Sequence, residues 1–107
     1  MQYLLLLHGD EAVWTEMSED DRRQAIQSYM AYNGELASSG VLRAGGELAA
    51  SHTATTLRGQ AGQVRLTDGP FAETREQIGG FYVIEVESLD EALSWARRCP
   101  ALWGGSI

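Results

Sequence analysis

The segment Asp68-Gly69-Pro70-Phe71-Ala72-Glu73-Thr74-Arg75-Glu76 gathers three carboxylates and a tight turn in one stretch of the chain. Asp68 can serve as a general base if burial raises its pKa toward the working pH. The alternative is an Asx-type turn, in which its carboxylate accepts hydrogen bonds from backbone amides, since Asp-Gly is a common turn dipeptide. Gly69 adopts backbone angles closed to other residues and Pro70 fixes the next φ. The sequence therefore predicts a rigid, shaped loop.

Three other side chains of this loop have two interpretations each. Phe71 forms the apolar wall of a ligand site, or it packs in the core or a dimer interface as most buried aromatic residues do. Glu73 and Glu76 bind a cationic substrate or share acid and base roles with Asp68, because paired carboxylates divide those roles when their environments differ. Otherwise these two residues are solvated loop charges.

Histidine supplies the second candidate for proton transfer. His8 follows the first predicted strand, where strand ends often open into a site, and its ordinary pKa of about 6.5 suits acid–base work. A structural role is the alternative. His52 lies in a polar segment of small residues and is predicted to be an exposed loop residue. The predicted catalytic residues are thus Asp68 and His8.

Three further residues complete the predicted substrate-binding set with Phe71 and Glu73. Tyr29 and Asn33 lie one helical turn apart and can share a partner. Asn33 either satisfies a hydrogen bond of the core or lines a pocket. Trp14 either covers the mouth of a pocket or packs against the start of the first long helix.

Composition excludes several classes of function. The 107 residues predict one domain, residues 1–107, and a net charge of −7 disfavours nucleic acid and anionic membrane surfaces as partners. No stretch has the length of a membrane span. The only cysteine, Cys99, allows no intrachain disulfide, which favours a cytoplasmic location. Zinc-type spacing of Cys and His is absent, so neither a metal nor a cofactor is expected.

Strands and helices alternate in an order that predicts the fold class. A strand over residues 2–8 precedes a helix over 19–39, which Ser18 caps and Gly40 ends. Strands are predicted at 41–48, at 53–58 and 63–67 as a hairpin, and at 81–87. A second helix starts after Ser88 and stops before Pro100. This order predicts an α+β sandwich of ferredoxin-like type, with both helices on one face of the sheet.

Side-chain periodicity predicts which faces are buried. In the last long strand Tyr82, Ile84 and Val86 share one face and Phe81, Val83 and Glu85 the other. The expected stripe of the first helix is Ile26, Tyr29, Met30, Asn33 and Ala37, and that of the second is Leu89, Ala92, Leu93 and Ala96. The uncovered sheet face predicts a homodimer packed sheet to sheet.

Four blocks of the sequence resemble the DGPF subgroup of the YCII-related proteins: YLLLLHGDEAVW at 3–14, GVLRAGGEL at 40–48, TATTLR at 53–58 and TDGPFAETREQIGGFYVIEVESLDEALSWA at 67–96. The resemblance implies a dimeric α/β barrel of two facing ferredoxin-like sheets, with a cleft near their interface. It implies that the protein binds or transforms a small molecule in this cleft, and the acidic loop could supply carboxylates for acid–base chemistry. The alternative it implies is a regulatory protein that associates with an extracytoplasmic-function sigma factor.

The chain departs from the family pattern in three places. Arg75 replaces a lysine, which keeps the charge but removes an amine that can transfer a proton. A proposed catalytic His–Asp pair of the wider family falls near Tyr29 and Ser38. The final strand is predicted to be very short, which leaves a sheet edge unpaired.

Overall fold

The computed structural model describes residues 1–107, and its main sheet has four antiparallel strands. In sheet order these are β2 (Leu42–Glu47), β5 (Gln77–Glu85), β1 (Gln2–Gly9) and β6 (Gly105–Ser106). The two-residue β6 pairs only with His8 and Gly9, so residues 2–7 of β1 lack a partner strand along that edge. The sheet is open rather than a closed barrel, and the prediction of a very short final strand is confirmed.

Three α-helices connect these strands: α1 (Glu11–Glu16), α2 (Glu19–Ser38) and α3 (Leu89–Arg97). The predicted caps are present, because Ser18 Oγ accepts from the Asp21 amide and Ser88 Oγ from the Glu91 amide. Gly40 follows α2 with a φ of 79°. The α+β class is confirmed. The short α1 was not predicted.

The core lies between one sheet face and helices α2 and α3. The sheet contributes Leu5, Leu7, Tyr82 and Ile84, Val86 follows directly after β5, and the helical side contributes Tyr32, Leu36, Ala92 and Cys99. The predicted alternation along β5 is therefore confirmed. The opposite face of the sheet carries Leu4, Leu6, Phe81 and Val83. Leu4 is 59% exposed and the other three are half-buried. We call these four residues the open sheet face.

The predicted helix stripes are correct at Tyr29, Ala92 and Ala96 and wrong at their other positions. Ile26 and Met30 of α2 are exposed, and the buried positions are Tyr32 and Leu36 with Tyr29 half-buried. Tyr32 belongs to the core because its hydroxyl donates to the Trp95 carbonyl oxygen at 2.8 Å, which removes the cost of burying it. In α3, Leu89 and Leu93 are exposed, while Ala92 is buried and Trp95 and Ala96 are half-buried. The buried positions of both helices still follow an i, i+3, i+4 pattern.

A separate hairpin consists of β3 (Thr55–Gln60) and β4 (Gln63–Asp68). Its turn is Ala61-Gly62, whose φ angles of 50° and 78° are those of the turns that suit two-residue hairpins. The hairpin was predicted with a wider loop. It pairs with no strand of the main sheet. The radius of gyration of 16.0 Å exceeds the roughly 13 Å of a compact chain of this length, and the shortest dimension is only 17 Å.

Candidate functional site

A cleft of about 850 Å³ lies where the end of β1, the start of α1, the β4–β5 loop and the C-terminal residues meet. It is lined by His8, Asp10, Val13, Thr74, Arg75, Glu76, Gly104, Ser106 and Ile107. Polar and charged side chains predominate among these residues. The cleft is thus suited to a polar ligand rather than to an apolar one.

A β-bulge shapes the strand end that carries His8. Leu7 pairs with Gly80, but His8 pairs with Ile78, so Gly79 has no partner in β1. Glycine inside a strand is typical of such a bulge. Bulges re-aim side chains and recur beside functional sites. His8 also pairs with Ser106 of β6, which brings the C-terminal residues to the same cleft.

Gly105 makes this pairing possible by lacking a side chain. A Cβ atom at position 105 would lie 1.9 Å from the carbonyl oxygen of His8 and 3.1 Å from that of Ala101. Both neighbours are backbone atoms and cannot swing aside. Only glycine therefore lets β6 approach β1 and close this side of the cleft.

The hydrogen bond of His8 fixes the form of its ring. His8 Nδ1 lies 3.1 Å from the carbonyl oxygen of Leu6, which can only accept, so Nδ1 carries the proton of the neutral imidazole. Nε2 is then unprotonated and has no hydrogen-bond partner in the chain. A histidine oriented in this way can accept a proton from a bound molecule through Nε2.

Among the charged residues of the cleft, Glu76 and Asp10 form hydrogen bonds within the chain and Arg75 does not. Glu76 accepts a hydrogen bond from Ser106 Oγ at 2.9 Å, and Asp10 caps α1 by accepting from the Ala12 amide at 3.0 Å. The guanidinium of Arg75 makes neither a hydrogen bond nor an ion pair within the chain. The cleft therefore offers one free base, His8 Nε2, and one free cation, Arg75.

The structure does not bring Asp68 into this cleft. Asp68 ends β4 opposite Thr55, is exposed, and its carboxylate accepts no hydrogen bond, so the Asx-type turn is also absent. The loop is held instead by the Gly69 amide, which donates to the Ala54 carbonyl oxygen at 2.6 Å. Phe71 is 71% exposed and Glu73 is exposed as well. In one chain, His8 thus meets only the second half of the loop.

The helical candidates lie outside the cleft. Asn33 is exposed, and its Oδ1 accepts a hydrogen bond from the hydroxyl of the buried Tyr82. Tyr29 is half-buried, and this burial raises its pKa to about 12. Trp14 packs under the Arg22 guanidinium at 5.6 Å, and its carbonyl oxygen accepts from Arg22 Nη2 at 2.8 Å. Trp14 therefore holds the start of α2.

A group of hydrogen bonds around Glu11, beside the cleft, was not predicted from the sequence. The Glu11 carboxylate accepts from the Ser51 amide at 3.0 Å and from Ser51 Oγ at 2.5 Å. The Ser51 hydroxyl, the Ser51 amide and the nearby His52 all lower the pKa of Glu11. Its own amide donates to Gln77 Oε1 at 3.0 Å, so Glu11 joins α1 to β5 and to the base of the hairpin. Forty positions separate Glu11 from Ser51, and no local pattern indicates the contact. His52 is exposed, as predicted.

Comparison with known proteins identifies the family. A family profile described as the YCII-related domain matches residues 1–107. The chain belongs to the YCII-related family. It is also 39% identical over 97 residues to an uncharacterized protein of Rhizobium meliloti (strain 1021), a match that covers 91% of this chain and 78% of the relative.

Two further observations concern the helices and the titratable side chains of this YCII-related chain. None of its helices combines the length and apolar character needed to cross a membrane. No three His, Cys, Asp or Glu side chains come together in a group suited to hold a metal ion.

Proposed function

We propose that this YCII-related protein binds a small organic acid in the cleft beside His8 and transfers a proton through His8 Nε2. The observation that carries the proposal is the fixed imidazole, whose Nδ1–H is engaged by Leu6 and whose Nε2 is free. Arg75 is the reason why the proposed ligand is an acid. An unpaired guanidinium binds carboxylates in a bidentate manner and cannot itself lose a proton at ordinary pH.

The residues of the cleft divide the work in this proposal. Arg75 holds the carboxylate of the ligand, and His8 Nε2 takes a proton from an adjacent carbon or oxygen and returns it to the ligand. Glu76, which Ser106 orients, lies on the same wall and stabilises the imidazolium that forms.

A thermal-shift screen of organic acids, each paired with its amide, tests the proposal. A ligand that binds only the folded state raises the melting temperature by mass action. We expect hits among the acids that weaken in Arg75→Gln and lose turnover in His8→Gln. The matched control is Arg97→Gln, an exposed arginine of α3 away from the cleft. Hits that persist in both cleft variants rule out this site.

We further propose that the four-stranded sheet is a ferredoxin-like unit and that two copies pack sheet to sheet as a dimeric barrel. Strand order β2-β5-β1-β6 with α2 and α3 on one face supports the ferredoxin-like arrangement. The open sheet face supports the dimer, because neither α2 nor α3 covers it, Leu4 is 59% exposed there, and apolar surface left in water usually marks association. In such a dimer Asp68, Phe71 and Glu73 of one copy can reach a ligand held by the other.

The alternative is association with an extracytoplasmic-function sigma factor, and the acidic surface favours it. The net charge is −7, and the first turn of α2 alone carries Glu19, Asp20 and Asp21. Opposite charge steers encounter with a basic partner. This alternative predicts binding that weakens steeply with salt. A pull-down with the purified sigma factor that recovers nothing at low salt excludes it.

A further inference from the structure

The hairpin has two unlike faces. We call residues 55–68 the arm. Leu57 lies opposite Leu66 and Gly59 opposite Val64, so three apolar side chains share one face, which we call the apolar face of the arm. The polar pair Thr55–Asp68 lies on the same face at the end nearest the body of the chain. The other face carries the pairs Arg58–Arg65, Thr56–Thr67 and Gln60–Gln63. The arm is therefore amphipathic, as a half-buried sheet is.

The apolar face of the arm is uncovered in a single chain. Leu57, Val64 and Leu66 are 64%, 71% and 65% exposed. A lone two-stranded hairpin is at best marginally stable in water and needs packing on an apolar partner surface. An arm whose apolar side chains remain in water thus lacks the contact that holds it.

The chain's own body does not supply that contact. The polar face of the arm is bound to the loop that follows it, because Thr56 Oγ1 donates to the Gly69 carbonyl oxygen at 2.8 Å and Arg58 Nη2 to that of Phe71 at 2.6 Å. These bonds fix the arm by its polar face. Its apolar face is left for another molecule.

Charge and surface chemistry indicate that the other molecule is a second copy. The arm contains two arginines and one aspartate and so has a net charge of +1. Because the whole chain has a net charge of −7, the remaining residues together carry −8. A basic arm is attracted to an acidic body. The same chain also presents the open sheet face, an apolar surface without a cover. Each copy thus carries both halves of an interface, as a two-fold dimer requires.

We propose that the apolar face of the arm packs on a second copy of this chain, so that two copies exchange arms. The proposal rests on the homodimer proposed above and names the element that secures it. The loop from Gly69 to Glu76 leads directly from the arm to the cleft, where Thr74, Arg75 and Glu76 form one wall. Docking of the arm therefore fixes the loop that holds Arg75.

The test compares the dimer dissociation constants of matched variants by analytical ultracentrifugation from submicromolar to submillimolar concentrations. Leu66→Asp places a charge on the apolar face of the arm, and Thr67→Asp places the same charge on the other face. We expect Leu66→Asp to weaken the dimer by about 30-fold or more, the effect of losing a central interface residue. Thr67→Asp is expected to change it by less than about threefold.

A third variant, Leu4→Asp on the open sheet face, separates the two proposals. Dimers that survive Leu66→Asp but not Leu4→Asp overturn the arm exchange and leave the sheet-to-sheet dimer standing. A wild-type chain that stays monomeric at every concentration overturns both. Should Leu66→Asp fail to fold, hydrogen exchange of the wild-type arm decides. Protection of residues 55–68 that rises with protein concentration supports the exchange, and exchange that is independent of concentration refutes it.

Discussion

Substitution of Gly105 by alanine probes the construction of the cleft with a single methyl group. The new Cβ would lie 1.9 Å from the His8 carbonyl oxygen, far inside the closest approach of two such atoms. Because that neighbour is backbone, either β6 leaves β1 or the end of β1 moves. Overpacking at a site that cannot relax costs about 1–3 kcal/mol. The cost cannot exceed that of detaching the two residues of β6, so we expect the lower half of this range.

Thermal unfolding by circular dichroism measures the effect. One kcal/mol lowers the melting temperature of a domain of this size by about 4–8 °C, so Gly105→Ala should melt roughly 4–16 °C below the wild type. Gly104→Ala is the matched control, since a Cβ there meets nothing within 4 Å. The variant should also lose binding of any acid found in the screen, because detachment of β6 removes Ser106 from Glu76. Equal melting temperatures for the two variants would refute the packing of β6 described above.

The remaining predictions concern the core and the base of the hairpin. Leu36 has no exposed surface, so Leu36→Ala should lower the free energy of unfolding of the protein by about 2–5 kcal/mol. Met30 is 67% exposed, so Met30→Ala should change that free energy by less than about 0.5 kcal/mol. Urea titration of both variants checks these values. The folded-state pKa of Glu11 lies below its unfolded value, so its hydrogen bonds to Ser51 stabilise the protein above that value and are lost as the pH falls through the folded pKa. Glu11→Gln should therefore be less stable than the wild type at neutral pH, and the difference should vanish in acid; a constant difference across the series would contradict the assignment.

The sequence predicts those parts of the fold that depend on local chemistry. Ser18 and Ser88 cap their helices because a hydroxyl satisfies first-turn amides wherever it precedes a helix. Alternation along β5 is likewise local, since one face of the strand is apolar and buried. Gly40 ends α2 for an equally local reason.

Tertiary contacts decide what the sequence does not predict. Tyr32 is buried in the core where Met30 was expected, because the carbonyl oxygen of Trp95, far along the chain, accepts a hydrogen bond from the Tyr32 hydroxyl. The cleft depends on the pairing of β6 with the first strand, which joins opposite ends of the chain. His8 was predicted as a candidate from its place at a strand end. The position of Arg75 beside the same cleft was not predicted, because the conformation of the loop decides which of its charged side chains face His8.

The central claim is that His8 presents a free Nε2 to a bound acid, and nitrogen-15 NMR of the imidazole rings tests it most directly. At a pH of about 8.5, two units above the ordinary histidine value, the neutral ring reveals which nitrogen carries the proton. The account predicts that His8 is protonated on Nδ1 and that its Nε2 resonance shifts when an organic acid from the screen is added, while the resonances of the exposed His52 stay in place. A proton on Nε2 of His8, or a ring that no acid perturbs, would contradict it.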